Sequence, residues 1–195
     1  MEKLIEKINK IPKGYFSFAD LRKISSLDDG SLRVAVSRFL KSSKIISLVK
    51  GIYTTDISKV NMEQLAVENY APSYLSFEWA LGHYNILSQK SYSLTLATVR
   101  QTKKINTPTG TIIYRRVKPE LFWGYKKKDD FLIAEQEKAF LDLAYLSLNG
   151  YAKFDQTEMN LSLLNKKKIK AYLKKINSKR LVSLIGKLKF NRKIL

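Results

Sequence analysis

Apolar residues recur at helical spacing from the start of the chain. One apolar face is formed by Leu4, Ile5, Ile8 and Ile11. Pro12 is expected to end this first helix, because proline cannot continue the hydrogen-bonded ladder. Ser17 and Asp20 then match a capping box, so the segment FADLRKI that follows Ser17 is predicted to be a short second helix.

A third helix is predicted from about residue 31 to about residue 42, with Asp28 or Asp29 as its cap. Its apolar positions form one face, which consists of Leu32, Ala35, Val36, Phe39 and Leu40. The opposite face carries no acidic side chain and consists of Ser31, Arg33, Val34, Ser37, Arg38 and Lys41. Two β-like runs, IISLV and IYTT, follow this helix and meet at Lys50-Gly51, which predicts a β-hairpin.

The order helix, helix, turn, helix, hairpin is typical of a winged helix-turn-helix domain, predicted here at residues 1–56. In such a domain the third helix would lie in the DNA major groove, where arginine can pair with guanine and serine can donate or accept. We therefore predict base-edge contacts from Arg33, Ser37 and Arg38. Contacts to the DNA backbone are predicted for Tyr15, Ser17, Ser31, Lys41 and Lys50. The alternative is a winged helix that is inert or binds protein.

Beyond residue 60 the sequence predicts a second, mixed α/β domain at residues 60–195, so the fold class is α+β. Strands are predicted at residues 92–99, 111–117 and 131–134, with residues 102–110 as a loop. Helices are predicted for MEQLAVENY, for SYLSFEWALGHYNIL with a cap at Ser73 or Ser76, and for AEQEKAFLDLAYLSL. The domain ends in basic helices within residues 151–195, predicted for MNLSLLNKKKIKAYLKKI and SKRLVSLIGKLKF.

The formal net charge of +19 favours a polyanionic partner such as nucleic acid. The excess lies at the two ends of the chain: residues 1–60 hold 12 basic and 6 acidic side chains, residues 61–150 hold 11 and 9, and residues 151–195 hold 13 and 2. Lysines without arginines suit attraction to phosphates rather than base reading, although a solvated outer face is the alternative. Candidate phosphate contacts at the C-terminal end are Lys166, Lys167, Lys168, Lys170, Lys174 and Lys175.

The sequence offers little for catalysis. There is no cysteine, and His83 is the single histidine, so neither a thiolate metal site nor a histidine cluster is expected. The phosphate-binding patterns GxxxxGK[ST] and GxGxxG are absent. His83 and the aromatic group Phe122, Trp123 and Tyr125 are expected to serve in packing. We expect no enzyme activity, cofactor, metal or membrane span, and a cytoplasmic location.

Several segments within residues 5–150 occur in the order found in one antitoxin family: PSYLSFEWALGHYNIL, the strand pair SLTLATV and TIIYRRV, LFWGY, and AEQEKAFLDLAYL. The family motif Ala-x-x-x-Lys-Ala-x-x-Asp is matched by Ala134, Lys138, Ala139 and Asp142. A proline common just inside that helix is absent around Gln136. With these motifs the chain resembles the AbiEi-type antitoxins of type IV toxin–antitoxin systems.

The resemblance implies two activities. The N-terminal domain would bind double-stranded DNA at inverted repeats in its own promoter and repress its own operon. The C-terminal domain would oppose a nucleotidyltransferase-like toxin without needing a stable complex, in phage defence by abortive infection. One alternative is a protein-interaction module that counteracts a toxin mainly through the C-terminal domain, with DNA binding incidental. An RNA-binding protein ranks last, because the sequence lacks the aromatic sheet motifs of common RNA readers.

Overall fold

In the computed structural model, which describes residues 2–89 and 91–188, the chain forms two units. The first unit contains the residues up to Leu65 together with Ile105–Thr109, and the second contains Ala66–Lys104 and the residues from Gly110 onward. The described residues hold eight α-helices, a three-stranded antiparallel sheet and a six-stranded mixed sheet, so the protein is α+β as predicted. No helix among them is long and apolar enough to cross a membrane.

The first unit begins with a helical part and ends with a hairpin. Its elements are α1 (Glu2–Ile8), β1 (Phe16–Ser17), α2 (Phe18–Ile24), α3 (Asp29–Lys41), β2 (Ile46–Val49) and β3 (Ile52–Thr54). The predicted hairpin is confirmed, and Gly51 at its turn has a φ of 81°, which glycine adopts without steric cost. The sequence did not predict β1, which pairs with β3 on the side away from β2.

Both predicted helix caps in this unit form. The Ser17 hydroxyl accepts the backbone N–H of Asp20 at 3.2 Å, and the Asp20 carboxylate accepts the N–H of Ser17 at 2.9 Å. Asp28 caps α3 by accepting the N–H groups of Gly30 and Ser31. These bonds satisfy backbone donors that have no partner inside a helix, which explains why α2 and α3 begin where they do.

The core of the first unit joins all three helices to the hairpin. Its buried members are Leu4, Ile8, Phe16, Leu21, Leu32, Val36, Phe39 and Ile45. The expectation that Leu40 is buried is wrong, because its side chain is 36% exposed. Leu40 lies about 80° around the helix from Leu32, at the margin of the apolar face rather than at its centre.

The rest of the chain builds the six-stranded sheet and its helices. The elements are α4 (Met62–Asn69), β4 (Ser73–Leu75), α5 (Phe77–His83), β5 (Ser93–Thr98), β6 (Lys103–Thr107), β7 (Gly110–Arg116), β8 (Tyr125–Lys128), β9 (Phe131–Ala134), α6 (Gln136–Ser147), α7 (Lys166–Ile176) and α8 (Lys179–Gly186). The strand order is β6–β7–β5–β4–β9–β8. The pairs β4–β5 and β8–β9 are antiparallel, and the pairs β4–β9 and β5–β7 are parallel. Helix α6 is buried along most of its length and lies against α5, α7 and α8.

Three expectations for this region need correction. Ser73–Leu75 is a strand instead of the start of a helix, which begins at Phe77 after Ser76. Residues 102–110 contain β6 instead of a loop, and β8 precedes the predicted strand at 131–134. The predicted helix from Met159 starts only at Lys166, because Asn165 accepts the first N–H groups there. The part of the last predicted helix beyond residue 188 lies outside the described residues.

Replacing Ser17 with alanine is expected to destabilise the first unit by about 1 kcal/mol, the usual cost of losing an N-cap hydroxyl. Hydrogen bonds from the backbone N–H and the hydroxyl of Ser17 lower the pKa of Asp20 from its ordinary value of 3.8. A lowered folded-state pKa gives stability that is present above the unfolded pKa and is lost as the pH falls through the folded value. The destabilisation should therefore be larger at neutral pH than at about pH 3.

Denaturant unfolding of the wild type and Ser17→Ala at both pH values measures this difference. Ser26→Ala, at an exposed serine in the turn between α2 and α3, is the matched control and should change little. An equal loss for Ser17→Ala at both pH values would contradict the role given to the Asp20 carboxylate.

Candidate nucleic-acid interface

Helix α3 presents two faces of opposite character. Leu32, Ala35, Val36 and Phe39 are buried and fix the orientation of the helix on the core. All side chains predicted for the outer face are exposed, and these are Ser31, Arg33, Val34, Ser37, Arg38 and Lys41. The predicted division of the helix is therefore confirmed apart from Leu40.

The outer face has a defined order across its width. At about 100° per residue, Ser37, Lys41 and Val34 lie near its centre, with Arg33 at one edge and Arg38 at the other. Val34 is 50% exposed and places an apolar side chain among polar neighbours. The face thus offers a hydroxyl and a branched apolar group between two guanidinium groups, and these chemical types can meet base edges in a major groove.

Arg33 also belongs to a cluster that joins α3 to α2. The guanidinium carbons of Arg33 and Arg22 lie 5.9 and 5.7 Å from the centroid of the Phe18 ring. Arg22 forms an ion pair with Asp29 at 2.5 Å. Arg22 was not predicted as part of the interface, although Phe18 and Arg22 are four residues apart and so share one face of α2. The cluster fixes two cations beside the start of α3.

Ser31 also takes part in the cap of α3. Hydrogen bonds from the side chain and backbone of Ser31 lower the pKa of the Asp28 carboxyl, so this group is an anion at neutral pH. Asp29 adds a second carboxylate at the adjacent position. These two carboxylates would repel a DNA phosphate, and the contact of Ser31 to the DNA backbone stays a prediction.

The other residues predicted to contact the DNA backbone fall into two groups, exposed lysines and residues that also have a structural role. Lys41 and Lys50 are exposed, at the end of α3 and at the hairpin turn. Tyr15 is only 6% exposed and packs with Leu48 and Leu65, while its contact to DNA stays a prediction. The hydroxyl of Ser17 is engaged with Asp20 in the cap of α2.

The lysines of α7 differ in their exposure and in their contacts. Lys168 is half-buried and lies 3.2 Å from Glu135 and 3.4 Å from Glu137. The ammonium group of Lys175 lies 4.0 Å from the centroid of the Trp123 ring. Four other exposed lysines share one side of the helix, and we call them the lysine face of α7: Lys166, Lys167, Lys170 and Lys174.

A separate cluster of titratable side chains lies inside the second unit. Lys138 and Asp142 form an ion pair on α6, with the Lys138 side chain fully buried and that of Asp142 5% exposed. The Asp142 carboxylate also accepts the hydroxyl groups of Tyr74 at 3.0 Å and Ser76 at 2.9 Å. Burial, followed by the charge of Asp142, holds the pKa of Tyr74 well above its ordinary value of 10.0. We call these four residues the buried polar cluster.

Aromatic groups close the buried polar cluster. The Lys138 ammonium group lies 5.2 Å from the centroid of the Trp123 ring, and Tyr74 stacks on Tyr125 at 4.7 Å. A Cβ atom at Gly124, whose φ is 75°, would lie 3.0 Å from the Lys138 side chain, so glycine permits the close approach. Within the described residues, every buried side-chain nitrogen and oxygen has a hydrogen-bond partner. The polar groups of the cluster therefore satisfy one another inside the second unit.

A second layer of contacts joins α6 to α7. Glu137 accepts the backbone N–H of Asn165 at 3.0 Å, and Tyr172 donates to Glu135. Burial, together with its bond to Glu135, raises the pKa of Tyr172 to about 12. Burial alone would raise the pKa of Glu135, but the bonds from Tyr172 and Lys168 outweigh it and lower the value. These contacts explain why Lys168 faces inward.

His83 ends α5 and stacks on Trp79, with 5.2 Å between the ring centroids. One of its ring nitrogens lies 2.5 Å from the ammonium group of Lys128. In the described ranges, no three histidine, aspartate or glutamate side chains are grouped as metal ligands. The geometry around His83 therefore fits its predicted role in packing.

No protein-family model matches this chain, and no curated protein matches it at a significant level. The resemblance to AbiEi-type antitoxins accordingly stays a prediction that rests on the quoted motifs.

Replacing Asp142 with leucine is expected to cost about 3–5 kcal/mol of stability, because it leaves the Lys138 ammonium group buried without a counter-charge. The double variant Lys138→Met with Asp142→Leu should recover part of that loss, since no unpaired charge then remains in the buried polar cluster. Denaturant unfolding gives the three free energies of unfolding. Asp130→Leu, the same change at an exposed turn, is the control. A double variant no more stable than Asp142→Leu would contradict this explanation.

Proposed function

We propose that this protein is a DNA-binding repressor whose first unit is a winged helix-turn-helix domain. The order of α1, β1, α2, α3, β2 and β3, with β1 added beside the hairpin, supports this assignment. In this assignment α3 is the recognition helix and the β2–β3 hairpin is the wing. The observation that carries the proposal is the exposed, acid-free outer face of α3, held in place by the buried opposite face.

Base reading is assigned to the outer face of α3. Arg33 and Arg38 can each pair bidentately with guanine, while Ser37 between them can donate to or accept from a base edge. Val34 adds an apolar surface of the kind that meets the methyl group of thymine. The two arginines stand about 140° apart around the helix axis, so they flank the groove floor and reach toward different base pairs.

Backbone contacts hold the helix in register. Lys41 at the end of α3 and Lys50 at the hairpin turn are exposed cations at two separate points of the unit. Arg22 lies beside Arg33 on the Phe18 ring, but its ion pair with Asp29 balances its charge, so it is not counted among the phosphate contacts. Such phosphate contacts supply affinity that falls with salt, whereas the α3 contacts supply sequence preference.

We further propose that the protein is an AbiEi-type antitoxin that acts in the cytoplasm. In this reading it represses its own operon at inverted repeats, and its second unit opposes a nucleotidyltransferase-like toxin without a stable complex. The support is the motif resemblance, within which Lys138 and Asp142 are the paired charges of the buried polar cluster. The lysine face of α7 would add sequence-independent attraction to nucleic acid.

Replacing both Arg33 and Arg38 with alanine is expected to weaken specific DNA binding by at least about 30-fold, because two guanine contacts of about 1 kcal/mol or more each are lost. A gel-shift titration measures this with the duplex upstream of the protein's own gene, against a scrambled duplex, at two salt concentrations. The matched control is Lys10→Ala with Lys59→Ala, which removes the same charge at exposed positions outside α3 and the hairpin.

The control should bind the upstream duplex with nearly wild-type preference over the scrambled duplex. The same arginine variant, co-expressed with the product of a neighbouring nucleotidyltransferase-like gene, should still neutralise toxicity, because neutralisation is assigned to the second unit. Equal weakening by both double variants, with no preference for the upstream duplex, would show that binding follows net charge alone and would refute the repressor assignment.

A further inference from the structure

The second unit contains a cavity of about 820 Å³ that is bordered by cationic and aromatic side chains. Its walls come from the end of β7, the last turn of α6 and the start of α8. The groups that bear on its chemistry are Arg116, Lys118, Arg180, Tyr145 and Tyr151. No acidic side chain is among its lining residues in the part of the chain that the structure describes. A cavity of this size falls within the range of small-ligand sites.

The charges in the wall are not equally available. Arg115, which also lines the cavity, donates to both carboxylate oxygens of Glu78 at 2.8 Å, so its charge is balanced inside the protein. Lys118 is exposed and lies 3.8 Å from Glu120, a weak contact in water. Arg116 and Arg180 have no carboxylate within 4.0 Å among the described residues. These two arginines therefore carry the uncompensated positive charge of the cavity.

Local hydrogen bonds hold both arginines at the wall. The backbone N–H of Arg116 donates to the Thr102 hydroxyl at 3.2 Å, which fixes the end of β7. One terminal nitrogen of Arg180 donates to the Leu148 carbonyl at 2.8 Å, at the end of α6. This bond offsets the negative end of the α6 dipole, which would otherwise disfavour an anion. A guanidinium group has five N–H donors, so Arg180 keeps others for a ligand.

We propose that this cavity binds a nucleoside phosphate. The planar donor fork of arginine matches phosphate oxygens, and two arginines without acidic partners favour a group with more than one negative charge. Tyr151 is 74% exposed and Tyr145 is half-buried, so the wall also provides aromatic rings on which a base can stack. The site uses none of the residues assigned to DNA reading in the first unit.

The full-length protein is titrated calorimetrically with ATP, GTP, CTP and UTP, and separately with adenosine and with tripolyphosphate. A Kd below about 1 mM is expected for at least one nucleotide, with weaker binding of each fragment. Arg116→Gln and Arg180→Gln should each weaken nucleotide binding about tenfold or more, since each removes a charged hydrogen-bond donor. Tyr151→Ala should weaken nucleotide binding about fivefold or more and leave tripolyphosphate binding unchanged.

Lys127→Gln, which removes one exposed charge on β8, is the matched control and should bind as the wild type does. Circular dichroism checks that each variant is folded. If Arg180→Gln does not fold, Arg116→Gln still provides the test.

A short single-stranded RNA with a 5′ phosphate distinguishes two sources of the ligand. Tighter binding of this RNA than of the free nucleotide assigns the cavity to a strand end, and weaker binding assigns it to a free nucleotide.

The proposal is overturned if no nucleoside phosphate binds saturably below about 1 mM. It is also overturned if Arg116→Gln and Lys127→Gln weaken binding equally, because general attraction to a basic protein would then explain the result. Neither outcome depends on whether α3 binds duplex DNA, so the repressor assignment and this site can fail separately.

Discussion

A buried ion pair between a lysine and an aspartate organises the second unit. The Lys138–Asp142 pair lies on α6, and its hydroxyl partners Tyr74 and Ser76 come from β4 and the residue after it. Helix and sheet are therefore joined at a buried polar point. A buried ion pair by itself contributes little net stability. Separating its two members is nevertheless costly, because each would leave the other charge buried without a partner. The pair thus favours one register of α6 on the sheet over its alternatives.

In the first unit the governing constraint is burial instead of charge. Helix α3 gives four side chains to the core, so its remaining positions are forced outward as a set. The outer face formed by Ser31, Arg33, Val34, Ser37, Arg38 and Lys41 contains no acidic residue, so it is a cationic face in a fixed frame. Rigid support of this kind lets an exposed arginine be aimed at a base, while the lysines of α7 can only attract phosphates. The proposed division between reading and attraction follows from these two environments.

Elements with strong helical, capping or turn signals could be predicted from the sequence. Helices α2 and α3 and the β2–β3 hairpin are examples. Two of the missed strands, β6 and β8, read KKINT and YKKK and are the edges of the larger sheet. Lysine-rich strands are typical of sheet edges, where charge blocks further pairing, and they lack the apolar alternation that identifies inner strands. The burial of Tyr15 and the inward pairing of Lys168 depend on partners far away in sequence, which local patterns do not reveal. The cavity wall was missed for the same reason, since its arginines come from β7 and α8.

The central claim is that the outer face of α3 reads duplex DNA. Amide chemical shifts of the isotope-labelled full-length protein, followed while the duplex upstream of its own gene is added, test this claim most directly. The account predicts that the largest saturating shifts lie in residues 31–41 and at Lys50 and Gly51, and that they differ between the upstream and a scrambled duplex. Shifts confined to the lysine face of α7, and the same for both duplexes, would contradict it.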